Sequence, residues 1–243
     1  MRYILSVVLS PIYYFFYMLW LVLFDIIQRI SLKIGGYSAH KKSVDILQWL
    51  LVQSHLILGN RTIYTGHKNF PTDVPILVVS NHQSMHDISP LGWMFRKNHP
   101  KYVSKIELGK GIPSVSYNLN HGGSVLIDRK DGKQSIKAIL GFGKEISSTN
   151  RCAVIFPEGT RSRTGAPRSF AESGLKMLIK VMPNCLVVPV TLNNFYKLNN
   201  HGGFPMPVGL KLTLHAHEPL RASEYEFKEL FDKIETTIKS DIK

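Results

Sequence analysis

One histidine and one aspartate, five positions apart, stand where an apolar run gives way to a polar turn: Val78-Val79-Ser80-Asn81-His82-Gln83-Ser84-Met85-His86-Asp87. A carboxylate that accepts a hydrogen bond from one imidazole nitrogen fixes the tautomer and leaves the other nitrogen free as a base. That is the His–Asp half of a serine-hydrolase triad. The chain supplies no matching nucleophile, so the hydroxyl to be activated has to come from a substrate. Taken alone the spacing is weak. It recurs at His40 and Asp45, in a Lys-rich stretch with no strand before it.

Three further apolar runs end in charge. Residues 102–108 deliver Lys105, residues 123–129 deliver Asp128 and Arg129, and residues 156–162 deliver Glu158, Gly159, Thr160 and Arg161. Arginine forks onto a phosphate, and lysine supplies a mobile point charge. Gly159 permits close backbone approach, and the N–H groups around it suit a phosphate or an oxyanion. Each cation by itself is best read as a solvated surface residue. Four strand ends bringing a base and several cations to one face are a site for an anionic substrate.

The elements that must carry these residues form an alternating pattern after Asn60. Strands are expected at 62–65, 75–79, 102–104, 124–127, 153–156, 186–190 and 210–216, with helical stretches around Ile139 and Leu178. A last helix carries Phe227, Leu230, Phe231, Ile234 and Ile238 on one face, with Ser223 and Glu226 at capping-box spacing before it. The pattern predicts an α/β domain with a mixed, largely parallel sheet flanked by helices. In such sheets chemistry gathers at the carboxyl ends of strands, where His82 falls. Gly141-Phe142-Gly143-Lys144 lacks P-loop spacing.

Residues 3–24 contain no charged side chain. As a helix they extend roughly 33 Å, enough to cross a hydrocarbon core of about 30 Å. The run is too long for a signal peptide and no small-residue cleavage site comes after it. Arg29, Lys33, Lys41 and Lys42 come after it against Arg2 before it, a bias that puts the rest of the chain in the cytoplasm. Gly35-Gly36 then interrupts, and Val44, Leu47, Leu50, Leu51 and Leu58 mark a second helix. That helix either lies in the same leaflet with lysines on anionic headgroups or packs on the soluble domain. The expected division is a membrane-anchoring two-helix segment, 1–59, and a catalytic α/β domain, 60–243.

At 243 residues the chain can bury one substantial core. The net charge of +13 calls for an acidic partner. Lysines scattered without interleaved aromatics argue against nucleic acid. Cys152 and Cys185 lie in apolar runs and read as buried hydrophobes, not as a disulfide or a metal site.

Asn81-His82-x4-Asp87, the 123–129 run, the 156–162 run and Val188-Pro189-Val190, in that order and spacing, resemble the four signature blocks of the glycerolipid acyltransferases. Lys105-x-Glu107-Leu108 matches a further block of the 1-acylglycerol-3-phosphate branch, and the paired N-terminal helices are similar to its bacterial members. The resemblance implies transfer of a fatty acyl group from a thioester to a lysophospholipid hydroxyl, giving phosphatidic acid in phospholipid biosynthesis. By it His82 is the general base and Asp87 orients it. Lys105, Arg129, Glu158, Gly159, Thr160 and Arg161 hold the phosphate-bearing acceptor, and Val188, Pro189 and Val190 wall the acyl chain.

The resemblance further implies an acyl-CoA or acyl carrier protein as co-substrate, no metal and no resident cofactor. The partners it implies are lysophosphatidic acid and the anionic cytoplasmic face of a bacterial inner membrane. Two stretches depart from the family pattern. Phe170-Ala171-Glu172-Ser173-Gly174 is one residue longer than the usual Phe-Lys-x-Gly and lacks its lysine, and His201-Gly202-Gly203-Phe204-Pro205 has no family counterpart. Both bear on the acceptor headgroup and leave room for a lyso-aminolipid or another lysophospholipid. A lipid hydrolase is disfavoured by the lack of a Gly-x-Ser-x-Gly elbow. A non-catalytic lipid-binding protein leaves the His–Asp pair unexplained.

Overall fold

The computed structural model describes residues 2–243. Helix α1 (Arg2–Ser54) bends at Gly36, whose φ of 62° and ψ of −158° are not helical, so it forms two limbs. A short 3-10 turn (His55–Leu58) closes the second limb. The strands, in chain order, are β1 (Arg61–Gly66), β2 (Ile76–Ser80), β3 (Pro100–Lys105), β4 (Val125–Ile127), β5 (Cys152–Ile155), β6 (Leu186–Asn193), β7 (Lys211–Ala216) and β8 (Leu220–Arg221). Between or after them come α2 (Ile88–Met94), α3 (Val115–His121), α4 (Gly132–Thr149), α5 (Glu172–Val181) and α6 (Phe227–Ser240).

The strands form one sheet in the order β1-β7-β6-β2-β5-β3-β4, with β8 also paired to β6. The run β6-β2-β5-β3-β4 is parallel throughout, and β7 is antiparallel to β6. The sheet is therefore mixed and mostly parallel, as the alternation predicts. Side chains alternate faces along a strand. Ile76 and Val78 of β2 enter one core cluster, and Leu77 and Val79 enter the other. All four are fully buried, which is why this strand reads as a continuous apolar run. Burying each such side chain stabilises the fold by about 1.5–3 kcal/mol, so the turn after β2 leaves a rigid platform.

One cluster packs α1 and α2 on the sheet, and the other packs α4, α5 and α6 on the opposite face. Both limbs of α1 take part: Tyr13, Tyr17, Leu21 and Phe24 from the first, Leu47 and Leu51 from the second. The second limb thus packs on the α/β layer, the latter of the two arrangements expected for it. Polar ties add to the packing. Ser10 Oγ accepts from the Met206 N–H at 2.8 Å, Tyr14 donates to the Gly203 carbonyl, and Gln28 Nε2 donates to Ser114 Oγ at 2.6 Å. The segment around Gly203 is therefore a dock for the first limb.

The outward side of that limb stays apolar and bare. Ile4, Phe15, Ile26 and Ile30 are more than half exposed. Among the described residues this is the one helix long and apolar enough to cross a membrane.

The end of the chain corrects one expectation. Ser223 lies in a separate 3-10 turn (Ala222–Glu224), and Glu226 is itself the extended residue before α6, with no side-chain cap. No capping box forms there. Strand β6 also runs three residues beyond its expected end, because Thr191, Leu192 and Asn193 pair with β7. Both cysteines are free and buried, as expected.

Candidate active site

Strands β2, β5, β3 and β4 are neighbours and parallel, so their carboxyl ends share one edge of the sheet. His82, Lys105, Arg129 and the 158–161 loop all lie at or just past those ends.

The turn after β2 is built around Asp87. Ser84 caps a 3-10 turn (Met85–Asp87), its Oγ accepting from the His86 N–H at 3.3 Å. Asp87 returns the bond: Oδ2 accepts from Ser84 N at 2.9 Å and from Gln83 N at 2.7 Å. A capping box of this kind satisfies amides that a helix start would otherwise leave free. The same Oδ2 lies 2.8 Å from His82 Nδ1. Asp87 is wholly buried, whereas the His82 side chain keeps 18% of its surface.

The Asp87 bond assigns the Nδ1 proton to that side of the ring and leaves Nε2 with a lone pair. Nε2 has no hydrogen-bond partner among the described residues. The ring also stacks on Phe156, with centroids 4.2 Å apart and planes 20° from parallel, which holds its orientation.

Glu158 ties this turn to the next. Its Oε1 accepts from the His82 backbone N–H at 2.9 Å and its Oε2 from the Arg168 N–H at 3.2 Å. Burial raises its pKa above the ordinary carboxylate value, and the two amide donors oppose that rise. The Ser162 N–H donates to the His82 carbonyl at 2.7 Å, so the two loops grip each other from both ends of one residue. Gly159 has a φ of 67°, in the left-handed region that disfavours side chains. Its carbonyl accepts from the Arg129 guanidinium, which joins the loop after β4 to the loop after β5. Burial lowers the Arg129 pKa, with Glu107 acting against it.

The contacts therefore connect His82, Asp87, Glu158, Gly159 and Arg129. Arg161 is exposed, and its charge is felt by His86 on the neighbouring turn. Lys105 and Thr160 are exposed at the same edge and lie outside this hydrogen-bonded set. Val188, Pro189 and Val190 sit inside β6, with Val188 and Val190 at 0% exposure. An acyl chain could reach them only by displacing core packing.

Several supports escape a reading of chemistry-bearing residues alone. Asn81 clamps β6 through Leu192, donating to its carbonyl at 2.9 Å and accepting its N–H at 2.7 Å. Gln83 Oε1 accepts from the Phe195 N–H at 3.0 Å. Behind the turn, His86 Nδ1 lies 3.3 Å from the Tyr13 hydroxyl, and His55 Nε2 lies 3.5 Å from the same hydroxyl. Burial pushes the His86 pKa well down, with His55 and Arg161 adding to the effect. The Ser84-x-x-Asp87 spacing signals the cap of this turn but none of these longer-range supports.

The family model described as Acyltransferase matches residues 61–193, more than half of the chain. A 1-acyl-sn-glycerol-3-phosphate acyltransferase of Borreliella burgdorferi is 29% identical over 180 residues, 72% of this chain and 68% of that one. One from Helicobacter pylori is 36% identical over 126 residues, 49% of this chain and 51% of its own. The alpha form from Ovis aries is 27% identical over 156 residues, about half of its length. Among solved structures, the 1-acyl-sn-glycerophosphate (LPA) acyltransferase PlsC from Thermotoga maritima superposes with a TM-score of 0.82 at 23% identity. The match covers 100% of this chain and 96% of that one. It extends the shared fold through both limbs of α1.

Proposed function

The chain belongs to the acyltransferase family, and on that premise we propose that it moves a fatty acyl group from a thioester to the sn-2 hydroxyl of 1-acyl-glycerol-3-phosphate, forming phosphatidic acid. The observation that carries the proposal is the 2.8 Å bond from His82 Nδ1 to a buried Asp87, with Nε2 left open. In the proposed step Nε2 takes the proton of the acceptor hydroxyl, and Asp87 stabilises the imidazolium that forms. The hydroxyl oxygen attacks the thioester carbonyl. Collapse of the tetrahedral intermediate expels the thiolate, which recovers the proton from the imidazolium. Ester and free thiol result.

The remaining residues take their roles from charge. Arg161, exposed and unpaired among the described residues, is the group available to fork onto the acceptor phosphate. Lys105 and Thr160 add a point charge and a hydroxyl at the same edge. Arg129 and Glu158 act by holding the loop that presents Gly159. The donor is acyl-CoA or an acyl carrier protein, with no resident cofactor. The bare apolar side of α1 suits attachment to a bilayer from which a lysolipid enters, here assigned to the cytoplasmic face of a bacterial inner membrane.

The lysine missing from Phe170-Ala171-Glu172-Ser173-Gly174 favours one alternative, the same transfer to another lysolipid. Purified protein given lysophosphatidic acid and a panel of other lysolipids, with each donor, separates the two by mass of product. His82→Ala should be silent with every acceptor while remaining on vesicles. Turnover by that variant rejects the mechanism.

A further inference from the structure

Two histidines and an aspartate far from the His82 turn in sequence come together where β7 meets the end of α6. His215 lies on β7, His217 stands two residues beyond it, and Asp241 comes directly after α6. One ligand atom from each lies within 4.8 Å of the other two, and all three side chains are partly open to solvent. We propose that His215, His217 and Asp241 form a binding site for a zinc-class divalent transition metal.

The hydrogen bonds around the rings prepare them as ligands. The Thr65 hydroxyl donates to the Leu214 carbonyl at 3.3 Å, so its oxygen, 2.9 Å from His215 Nδ1, accepts the ring proton there. His215 Nε2 is left with its lone pair. The Thr191 hydroxyl likewise donates to the Ile238 carbonyl at 3.3 Å and receives the His217 Nε2 proton at 2.8 Å. His217 Nδ1 is then the unprotonated nitrogen. A ligating imidazole whose second nitrogen is held by a fixed oxygen is the usual outer arrangement of a metal site.

The third ligand brings charge. Asp241 Oδ2 is 3.9 Å from His217 Nε2, too far for a hydrogen bond, so the carboxylate is not committed to the ring. The backbone of Asp241 is pinned, because its carbonyl accepts from Asn193 Nδ2 at 2.9 Å. Tetrahedral zinc with donors at about 2.0–2.1 Å places them about 3.4 Å apart, so the three atoms, now within 4.8 Å of one another, have to draw closer on binding. Two imidazoles and a carboxylate suit zinc, copper or nickel and reject magnesium and calcium, which take oxygen ligands. An open groove of about 450 Å³ along α6 reaches His217. The bound metal would fasten the end of α6 to β7.

The test is calorimetry and thermal unfolding of the full chain in detergent, free of any affinity tag, titrated with zinc chloride. One zinc per chain should bind. At about a hundredfold excess over Kd the unfolding midpoint should rise by about 5–10 °C. His215→Ala and Asp241→Asn should each lose the shift, and Asp241→Asn keeps the carbonyl that Asn193 holds, so its fold is retained. Magnesium should give neither heat nor shift. The proposal is overturned by an equal response to magnesium, by unchanged zinc stoichiometry in both variants, or by no response to zinc at concentrations on the order of 100 μM.

Discussion

Asp87 holds His82 through a single oxygen. Oδ2 takes the ring at 2.8 Å together with the amides of Gln83 and Ser84, while Oδ1 is buried without a partner among the described residues. The backbone of one tight turn therefore sets where the carboxylate points, and the carboxylate sets where the imidazole points. The unpaired Oδ1 keeps negative charge in a dry place, beside the ring that must become positive in the proposed step. Such charge is worth more there than in water.

Asp87→Asn separates orientation from charge. Its carbonyl oxygen can replace Oδ2 and keep all three bonds, while its amide nitrogen falls where Oδ1 is buried. The fold should survive. The imidazolium loses its stabilising charge, so kcat should drop by a factor on the order of 10²–10⁴. Steady-state kinetics at saturating acceptor measures it, and an unchanged kcat would show that charge plays no part.

Glu158 is predicted to act through the loops it joins. Its two oxygens serve two backbone donors, His82 N and Arg168 N. Glu158→Gln turns one of them toward an N–H that cannot accept, stranding a donor at a cost of about 1–3 kcal/mol. Urea unfolding should show that loss, and kcat should fall with it because His82 shifts. A variant with full stability but low activity would assign Glu158 to the acceptor instead.

Arg161 and Arg129 should fail differently. Arg161 has no hydrogen-bonded partner among the described residues, so Arg161→Ala should raise the acceptor KM about 10- to 100-fold with kcat nearly kept, the loss of one charged hydrogen bond to phosphate. Arg129 donates to the Gly159 carbonyl. Arg129→Ala should loosen the loop and lower kcat as well. Identical kinetic signatures for the two variants would refute this division.

The sequence carried the layered α/β fold and the four strand ends because both depend on local pattern: β-branched runs leading into polar turns. The edge they share comes from parallel pairing, which alternation implies. What stayed hidden was non-local. Asn81 against Leu192, Gln83 against Phe195 and Tyr13 against His86 join residues far apart in the chain, and no spacing announces them. The cap was misplaced for a related reason. Ser223 and Glu226 have the right spacing but fold into separate turns, whereas Ser84 and Asp87 have it and use it. Val188–Val190 are buried in β6, and an apolar strand is the same in sequence whether it faces a ligand or a core.

Acid should unfold the protein through its buried imidazoles. His55 is 1% exposed, and burial pulls its pKa down to about 4. The unfolded chain, with its histidine near 6.5, binds the proton more readily than the folded one between those values. Stability from keeping His55 neutral is therefore complete above about pH 6.5 and is lost as the pH falls toward 4, to the extent of about 3 kcal/mol. His86, buried beside it, shifts in the same direction. Urea midpoints at neutral pH and near pH 5 should differ clearly in the wild type. His55→Gln, which carries no titrating ring, should narrow the difference while His86 keeps part of it. An equal drop in both proteins would mean that the acid sensitivity arises elsewhere.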